Sequence, residues 1–398
     1  MKKETLITKA GRNPAKHAGA VNPPIYQTST VIFPTWEAYE EAERGKHFYE
    51  ETEGTNTPDL SYAISGTPTT FALERALAEL EGEGGAVIVP SGLSAIAVAI
   101  QSFVASGDHI LVTDSVYGPG RRFCNKELKR FGVEVEFYDP LIGGEIKKLI
   151  KPNTKLVFLE SPGSMTFEVQ DIPAITQAVK SVREEIVTVM DNSWATSLFF
   201  QPYKYGVDVS LQAITKYIAG HSDIIMGVVF ARGSEHLKKI AATFRNTGLH
   251  VHPQACYQAL RGLRTMATRL KAHQAAALQI AKWLEKHPKV SEVIYPALKG
   301  AAGHEIWQRD FSGASSLFAF ILDKKYERES ISRMLNNMEI FGIGCSWGGY
   351  ESLIIHFDPS VIRTATRWQK PGSAIRIYIG LEDPDDLILD LEKGLGRL

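Results

Sequence analysis

Short apolar runs alternate with amphipathic stretches through most of the chain after residue 68. The apolar runs predict strands at residues 86–89, 110–113, 133–138, 155–159, 186–190, 209–214 and 225–231. Apolar positions at helical spacing predict helices that include residues 69–81, 94–106 and 171–182. Buried strands that alternate with helices are typical of βαβ units, so we expect an α/β fold with a mainly parallel sheet.

The pattern changes toward both ends of the chain. A long helical stretch at residues 254–287 leads into shorter predicted elements at residues 290–295, 315–322, 327–336, 374–379 and 384–396. The first sixty residues are rich in Pro, Gly and Thr, with one short helical pattern at residues 36–44. We therefore predict an N-terminal arm at residues 1–60, which contacts a neighbouring subunit, a large domain at residues 61–258 and a smaller C-terminal α/β domain at residues 259–398.

Composition narrows the classes of protein that the chain can represent. Its 398 residues exceed the roughly 250–300 at which one hydrophobic core usually stops growing, which supports more than one domain. Hydrophobic residues make up 44% and charged residues 22%, proportions that exclude disordered and collagen-like chains. The net charge of −1 provides no overall positive field, so we expect neither nucleic acid nor an anionic membrane as a partner.

The cysteines and the N-terminus indicate the compartment. Cys124, Cys256 and Cys345 are widely spaced and form no CxxC pair, which argues against a disulfide framework and against a metal site. The first twenty residues lack the apolar segment of a secretory signal, and no apolar run is long enough to cross a bilayer. We expect a soluble, cytoplasmic protein.

Parallel sheets bind ligands at the carboxyl ends of their strands. Three predicted strands are followed there by residues that could bind a ligand or take part in catalysis. Gly92 and Leu93 begin a predicted helix, where backbone N–H groups suit a phosphate. Strand-turn-helix junctions that contain glycine are also common where no ligand binds. Asp191 follows the strand at residues 186–190, where it either faces a ligand or caps a helix. Lys216 lies between apolar segments and is either a surface lysine or a desolvated nucleophile able to form a Schiff base.

A fourth position lies in the small domain. Arg376 stands between two isoleucines on a predicted strand, so a buried guanidinium there needs a partner, either a structural carboxylate or a ligand. Pyridoxal 5′-phosphate would use the first three features together, because it requires a lysine, a carboxylate facing its pyridine nitrogen and a phosphate cradle. Arg376 would then hold the α-carboxylate of an amino-acid substrate.

The chain resembles the pyridoxal-phosphate enzymes of cysteine and methionine metabolism over nearly its whole length, and most closely their β-lyases. The stretches that carry the resemblance are residues 158–164, 191–195, 212–223, 346–352 and 376–383. The resemblance implies a fold-type I transferase-like architecture and a homotetramer in which active sites are shared across a dimer interface. It also implies a carbon–sulfur β-lyase that converts L-cystathionine into homocysteine, pyruvate and ammonia.

The resemblance further implies a role for each residue of the site. Lys216 is the lysine that bonds to the cofactor and transfers the substrate proton, and Tyr117 is the tyrosine that stacks on the cofactor ring. The remaining cofactor-binding residues are Asp191, opposite the pyridine nitrogen, and the phosphate-binding Gly92, Leu93, Thr215 and, from a neighbouring subunit, Tyr62. Arg376, Ser346 and Trp347 match the substrate-binding positions.

Other reactions stay open alongside β-elimination. The family also includes γ-lyases, γ-synthases and cysteine desulfhydrases, although Trp347 and the pair Gly118-Pro119 favour β-chemistry. A cofactor-holding regulatory protein with weak catalysis is an alternative of another class.

Three positions depart from the pattern of the family. Ile64 stands where an arginine usually binds the cofactor phosphate, so we expect looser cofactor binding unless another cation compensates. Cys345 stands where the close β-lyases tend to have tyrosine, which bears on substrate choice, and Ala213 replaces a frequent serine.

Overall fold

The computed structural model describes residues 1–43 and 61–398. Residue 44, at the end of the short helix predicted in the arm, lies outside these ranges, as does the rest of the arm up to residue 60.

The described residues form twelve α-helices and eleven β-strands. The helices are α1 Lys3–Lys9, α2 Trp36–Glu43, α3 Pro68–Glu81, α4 Gly92–Gln101, α5 Gly118–Phe123, α6 Ile172–Val182, α7 Thr196–Phe199, α8 Ser234–Asn246, α9 Pro253–Leu284, α10 His304–Asp310, α11 Arg328–Leu335 and α12 Pro384–Leu395. The strands are β1 Gly85–Val89, β2 His109–Thr113, β3 Glu134–Tyr138, β4 Thr154–Glu160, β5 Val187–Asp191, β6 Val209–Gln212, β7 Gly227–Ala231, β8 Val290–Ile294, β9 Leu317–Leu322, β10 Leu353–Phe357 and β11 Ala374–Tyr378.

The larger sheet has seven strands in the order β1-β7-β6-β5-β4-β2-β3. Strand β7 runs antiparallel to both of its neighbours, and the pairs from β6 to β3 are parallel, which confirms the predicted mainly parallel α/β sheet. Apolar side chains cover both faces, because successive residues of a strand point to opposite sides. In β1, Val87 and Val89 belong to one hydrophobic core, whereas Ile88 belongs to the other.

The smaller sheet has four antiparallel strands in the order β10-β11-β9-β8. Helix α9 packs against α1 and α3 on the large-sheet side and against α12 on the small-sheet side. The boundary that we predict between residues 258 and 259 falls inside this helix, and one hydrophobic core runs from Leu260 to the strands of the smaller sheet. The division into three segments therefore stays a prediction.

The start of the arm packs on its own chain. Ile7 of α1 is buried, and its carbonyl accepts a hydrogen bond from Arg264 of α9 at 2.5 Å. Farther along, Val21, Ile32 and Trp36 are exposed by 61%, 91% and 66%. Contact with a neighbouring subunit stays a prediction. None of the helices within residues 1–43 and 61–398 is long and apolar enough to cross a membrane.

Candidate active site

The order of the strands brings the predicted site residues to one edge of the large sheet. Glu160 ends β4 and is paired in register with Asp191, which ends β5. Asp191 is in turn paired with Leu211 of β6, the strand that leads into Lys216. The N-terminus of α4 lies beside the same edge, since a Cβ built on Gly92 would be 2.9 Å from the Cβ of Ala213.

Lys216 lies in the turn that follows β6, against the loop of residues 344–350. Its Nζ donates to the Ser346 hydroxyl at 2.8 Å and is 5.1 Å from the centre of the Trp347 ring. Burial, and then the positive charge of Arg376, lower the pKa of Lys216 to about 8. The alternative of an ordinary surface lysine does not fit these surroundings. Near neutral pH, a larger fraction of this amine is neutral and nucleophilic than in a lysine with the ordinary pKa of 10.5.

Asp191 is a carboxylate held in a turn of its own rather than a helix cap. Its Oδ1 accepts a hydrogen bond from the Ser193 backbone at 2.9 Å, whereas the N-cap of α7 is Ala195. Burial raises the pKa of Asp191, and the positive charge of Lys216 opposes that rise. A protonated ring nitrogen placed opposite this carboxylate would supply the countercharge that burial makes favourable.

The start of α4 has the features of an anion cradle. Ser91 caps the helix and accepts from the Ser94 backbone at 3.0 Å, so Gly92 and Leu93 are the first two helical residues. The N–H groups of these two residues have no acceptor carbonyl within the helix, and the helix dipole adds positive potential at this end. The small Gly92 keeps the approach to Ala213 open. This arrangement suits a phosphate group.

Thr215 makes a different contact from the predicted one. Its hydroxyl donates to the Met226 carbonyl at 3.1 Å and accepts from the Met226 backbone at 2.9 Å. The hydroxyl therefore ties the turn that bears Lys216 to the segment before β7. A role of Thr215 toward a cofactor phosphate stays a prediction.

Arg376 of β11 is a buried cation without a carboxylate partner among the described residues. Its guanidinium donates to the carbonyls of Cys345 and Gly344 at 3.1 and 2.9 Å, and its buried Nε has no partner there. The residue is only 5% exposed, and burial lowers the pKa of its guanidinium to about 10. The alternative of a structural salt bridge is not seen, and the unpaired donor suits a ligand carboxylate.

Tyr117 and Cys345 complete the surroundings of Lys216. The Tyr117 side chain is 43% exposed, and burial of its hydroxyl, followed by the charge of Asp191, raises its pKa. Cys345 is exposed, and it interacts electrostatically with Tyr117, Lys216 and Arg376. The loop that carries Cys345 therefore borders the pocket.

Tyr62 lies apart from these contacts. It is 52% exposed and forms an isolated antiparallel bridge with Thr30 of the arm. The nearby Ile64 contributes its carbonyl, which accepts from His250 at 3.2 Å. The structure describes a single chain, so the role of Tyr62 at a neighbouring subunit stays a prediction.

Glu160 has no role among the predictions from the sequence, but it lies beside Asp191 at the edge of the sheet. Its Oε2 accepts a hydrogen bond from the Tyr117 backbone at 2.7 Å. The available signal was its position as the last residue of an apolar strand, the same position that drew attention to Asp191.

The donor set fits pyridoxal phosphate. A lysine with a lowered pKa, a half-buried carboxylate and a helix N-terminus with an open glycine lie at one sheet edge, beside an arginine whose Nε has no partner among the described residues. Among residues 1–43 and 61–398, no group of three or more His, Cys, Asp and Glu side chains could hold a metal ion.

Comparison with known proteins agrees with this fit. A model of the family described as Cys/Met metabolism PLP-dependent enzyme matches residues 4–396. The chain is 48% identical to the L-alanine/L-glutamate racemase of Wolbachia pipientis wMel, over 100% of this chain and 98% of that protein. It is 43% identical to cystathionine beta-lyase MetC of Escherichia coli strain K12, over 100% and 99%. A crystal structure of cystathionine gamma synthase from Xanthomonas oryzae pv. oryzae, with aminoacrylate and cysteine, superposes with a TM-score of 0.88 at 30% identity, covering 100% of this chain and 98% of that one.

Proposed function

Because the chain belongs to the pyridoxal-phosphate-dependent enzymes of cysteine and methionine metabolism, we propose that it is a cystathionine β-lyase. The reaction converts L-cystathionine and water into homocysteine, pyruvate and ammonia. The observation that carries the proposal is the position of Lys216, whose Nζ is held 2.8 Å from Ser346 and 5.1 Å from the Trp347 ring. The similarity to the Escherichia coli β-lyase over both full lengths supports it.

Each residue of the pocket has a task in this proposal. Bound pyridoxal phosphate supplies an electron sink for the negative charge that develops at the substrate Cα. Asp191 would face the pyridine nitrogen, Gly92 and Leu93 would bind the phosphate through their N–H groups, and Tyr117 would lie against the ring. Arg376 would orient the substrate by its α-carboxylate.

Lys216 carries the proton in the same proposal. Its neutral amine takes the Cα proton and returns a proton to the departing sulfur at Cβ, so one group acts first as base and then as acid. A pKa of about 8 suits both steps near neutral pH, because neither the charged nor the neutral form is rare. The Ser346 hydroxyl, at 2.8 Å, holds the Nζ in place between the two transfers.

The decisive experiment identifies both products. The purified holoenzyme is incubated with L-cystathionine, and the keto acid and the thiol are identified by mass spectrometry. We expect pyruvate with homocysteine, and we expect borohydride to fix the cofactor on the peptide that contains Lys216. Release of 2-oxobutyrate with cysteine would instead assign γ-elimination. A Lys216→Ala protein serves as the control and should release no keto acid.

Racemisation of a small amino acid is a second candidate, because the relative at 48% identity is named an L-alanine/L-glutamate racemase. Racemisation also removes the Cα proton but returns one to the opposite face, and it needs no leaving group at Cβ. Incubation with L-alanine in deuterium oxide separates the two candidates. D-alanine labelled at Cα, formed faster than pyruvate forms from cystathionine, would favour the racemase.

We further infer that the working enzyme is a homotetramer built from dimers that share active sites. The support is the run of exposed apolar side chains in the arm, including Ile32 and Trp36, together with the exposed Tyr62. A monomer would leave this surface in water, and soluble monomers rarely expose large contiguous apolar patches.

A further inference from the structure

Glu160 is a buried carboxyl group at the carboxyl end of β4, next to the proposed cofactor pocket. It is 9% exposed and is paired in register with Asp191 of β5. Registered residues on neighbouring parallel strands point to the same face of the sheet, so the two carboxyl groups share one side. The steps assigned above to Lys216, Asp191 and Arg376 make no use of Glu160.

The Glu160 carboxyl group contacts the backbone of Tyr117 and also that of Ser164. Oε2 accepts from the Tyr117 N–H at 2.7 Å, and this N–H lies at the N-cap of α5, where no helical carbonyl is available to it. The Tyr117 side chain is 43% exposed, so packing alone does not fix it. The hydrogen bond that the Tyr117 N–H donates to Glu160 therefore helps to set the direction in which the tyrosine leaves the backbone, together with the bond that its carbonyl accepts from the Arg121 backbone at 2.9 Å.

We propose that Glu160 is a positioning residue that fixes the backbone of Tyr117 so that its ring meets the cofactor. The inference rests on the proposed function only in taking Tyr117 as the residue that lies against the cofactor ring.

The electrostatics of the pair agree with a role that depends on reach rather than on charge. Burial, and then the charge of Asp191, raise the pKa of Glu160 well above its usual range. Two buried carboxyl groups side by side do not both ionise readily. A carboxyl group presents an accepting oxygen in either protonation state, so the contact with the Tyr117 N–H does not require Glu160 to be charged.

Two substitutions separate reach from charge. Glu160→Gln keeps the length and the accepting oxygen but removes the ability to ionise, whereas Glu160→Asp keeps the carboxylate but is shorter by one methylene. Glu160→Met, of similar length and without an acceptor, provides a second test of the contact. Each holoenzyme is examined by visible circular dichroism of the bound cofactor, by kcat and KM for cystathionine, and by thermal unfolding.

We expect Glu160→Gln to retain the cofactor spectrum and to stay within about threefold of the wild-type kcat, since its hydrogen bond survives. We expect Glu160→Asp and Glu160→Met to change the cofactor circular dichroism and to lose about tenfold or more in kcat, because the buried N–H of Tyr117 loses its acceptor. A Gln variant that is impaired in either readout would overturn the proposal. An Asp or Met variant with the wild-type spectrum would overturn it as well. The spectra are recorded without substrate, so they decide the role of Glu160 even if the reaction proves to be a different one.

Discussion

At the scale of single residues, burial of the Lys216 ammonium and the charge of Arg376 lower the pKa of the amine to about 8, whereas the charge of Asp191 raises it. Lys3 has a pKa lowered to about 8 as well, by burial, although it lies in α1 and contacts Ser197 rather than the pocket. A lowered pKa alone therefore does not identify the reactive lysine. Lys216 differs from Lys3 in lying at the sheet edge that also bears the Asp191 carboxylate and the N-terminus of α4.

We expect the rate at which the apoprotein takes up pyridoxal phosphate to depend on pH through Lys216. Only the neutral amine of Lys216 attacks the aldehyde, so below pH 8 the rate should rise about tenfold per pH unit and should level off above it. Stopped-flow absorbance in the visible range measures the rate. Arg376→Gln should shift the midpoint of this profile to higher pH, because it removes the positive charge that depresses the pKa.

Lys3 provides the matched control for that measurement. Lys3→Met should take up the cofactor with the wild-type profile, and Lys216→Met should give no slow absorbance change. If the Lys3 variant lost the uptake, or if the midpoint lay near the ordinary lysine value of 10.5, the assignment of Lys216 would be wrong.

At the scale of elements, Asp114 joins the end of β2 to a turn from the small-domain sequence. Its carboxylate accepts from the backbones of Thr364 and Thr366 at 3.1 and 2.9 Å and forms an ion pair with Arg121 at 2.9 Å. Asp114 is 1% exposed. Burial alone would raise its pKa, but the bonds from Thr364, Thr366 and Arg121 together lower it. The turn at residues 364–366 is thereby anchored to Asp114, which lies three residues before Tyr117.

We predict that Asp114→Ala lowers the free energy of unfolding by about 3 kcal/mol, because several buried donors and one buried cation lose their acceptor. Denaturant titration measures the change. Asp358→Ala is a control in the same segment, since Asp358 caps a short turn through the Ser360 backbone at 2.9 Å, and it should cost only about 1 kcal/mol. Equal losses in the two variants would contradict the anchoring role.

The same carboxylate sets a pH dependence. The folded-state pKa of Asp114 lies below its ordinary value of 3.8, so its contribution to stability is present above pH 3.8. That contribution is lost as the pH falls through the folded-state pKa. The difference in unfolding free energy between wild type and Asp114→Ala should therefore shrink on acidification below pH 3.8.

Helix α1 depends on a close approach that only glycine permits. Gly11 has φ +67°, and a Cβ there would lie 2.1 Å from the Ala72 carbonyl oxygen of α3. Gly19 has φ +81° but nothing within 4 Å of an added Cβ. Replacing either glycine by alanine would strain the backbone, because both have a positive φ, but only the replacement of Gly11 would also bring a Cβ into contact with α3.

Gly11→Ala should therefore release α1 from α3, whereas Gly19→Ala should cost only about 1 kcal/mol of backbone strain. Hydrogen exchange of residues 3–9, followed by mass spectrometry, reports the release directly. Unchanged protection of these residues in Gly11→Ala would show that α3 can yield to the added methyl group.

Two elements that the sequence analysis left unassigned show where pattern reading stops. Helix α8 does carry a helical apolar pattern, with Leu237, Ile240, Ala241 and Phe244 buried, but its surrounding charges obscure it. Strand β10 lies at the edge of the smaller sheet and is only partly buried, and its apolar run at residues 353–355 is too short to indicate a strand by itself. Helix α4 ends at Gln101, five residues before the predicted end.

At the scale of the whole molecule, the proposed shared site predicts complementation between subunits. Tyr62→Ala and Lys216→Ala should each impair the enzyme as a homo-oligomer. In a hybrid dimer, one site would combine an intact Lys216 with an intact Tyr62 from the other subunit. Random assembly makes about half of the dimers hybrid, each with one intact site, so about a quarter of the wild-type activity should return.

The two variants are co-expressed at equal levels with the same affinity tag, and the unsorted mixture is purified and assayed for keto-acid release. Lys216→Ala combined with Lys216→Arg serves as the control pair and should restore nothing. Hybrids no more active than the parents would place Tyr62 at the site of its own chain, or at none.

The pattern of residues along the chain was enough to predict the class of fold and most of the candidate chemistry. Strands that are apolar on both faces and alternate with amphipathic helices favour a mainly parallel sheet, because the helices of the crossovers cover both faces. The position of Asp191 and Lys216 just after such strands was enough to suspect a pocket, since strand ends meet at one edge. These properties are local and survive as patterns in one dimension.

The contacts between groups that are far apart along the chain became known only from the fold. The Ser346 hydroxyl reaches Lys216 over 130 positions, and Asp114 holds a turn 250 positions away. The fold also brings the Thr215 hydroxyl to the Met226 backbone and Glu160 to the Tyr117 backbone. Such contacts depend on the order of strands in the sheet and on the depth of burial, which set distance and dielectric environment. Neither quantity is written in the spacing of residues along the chain.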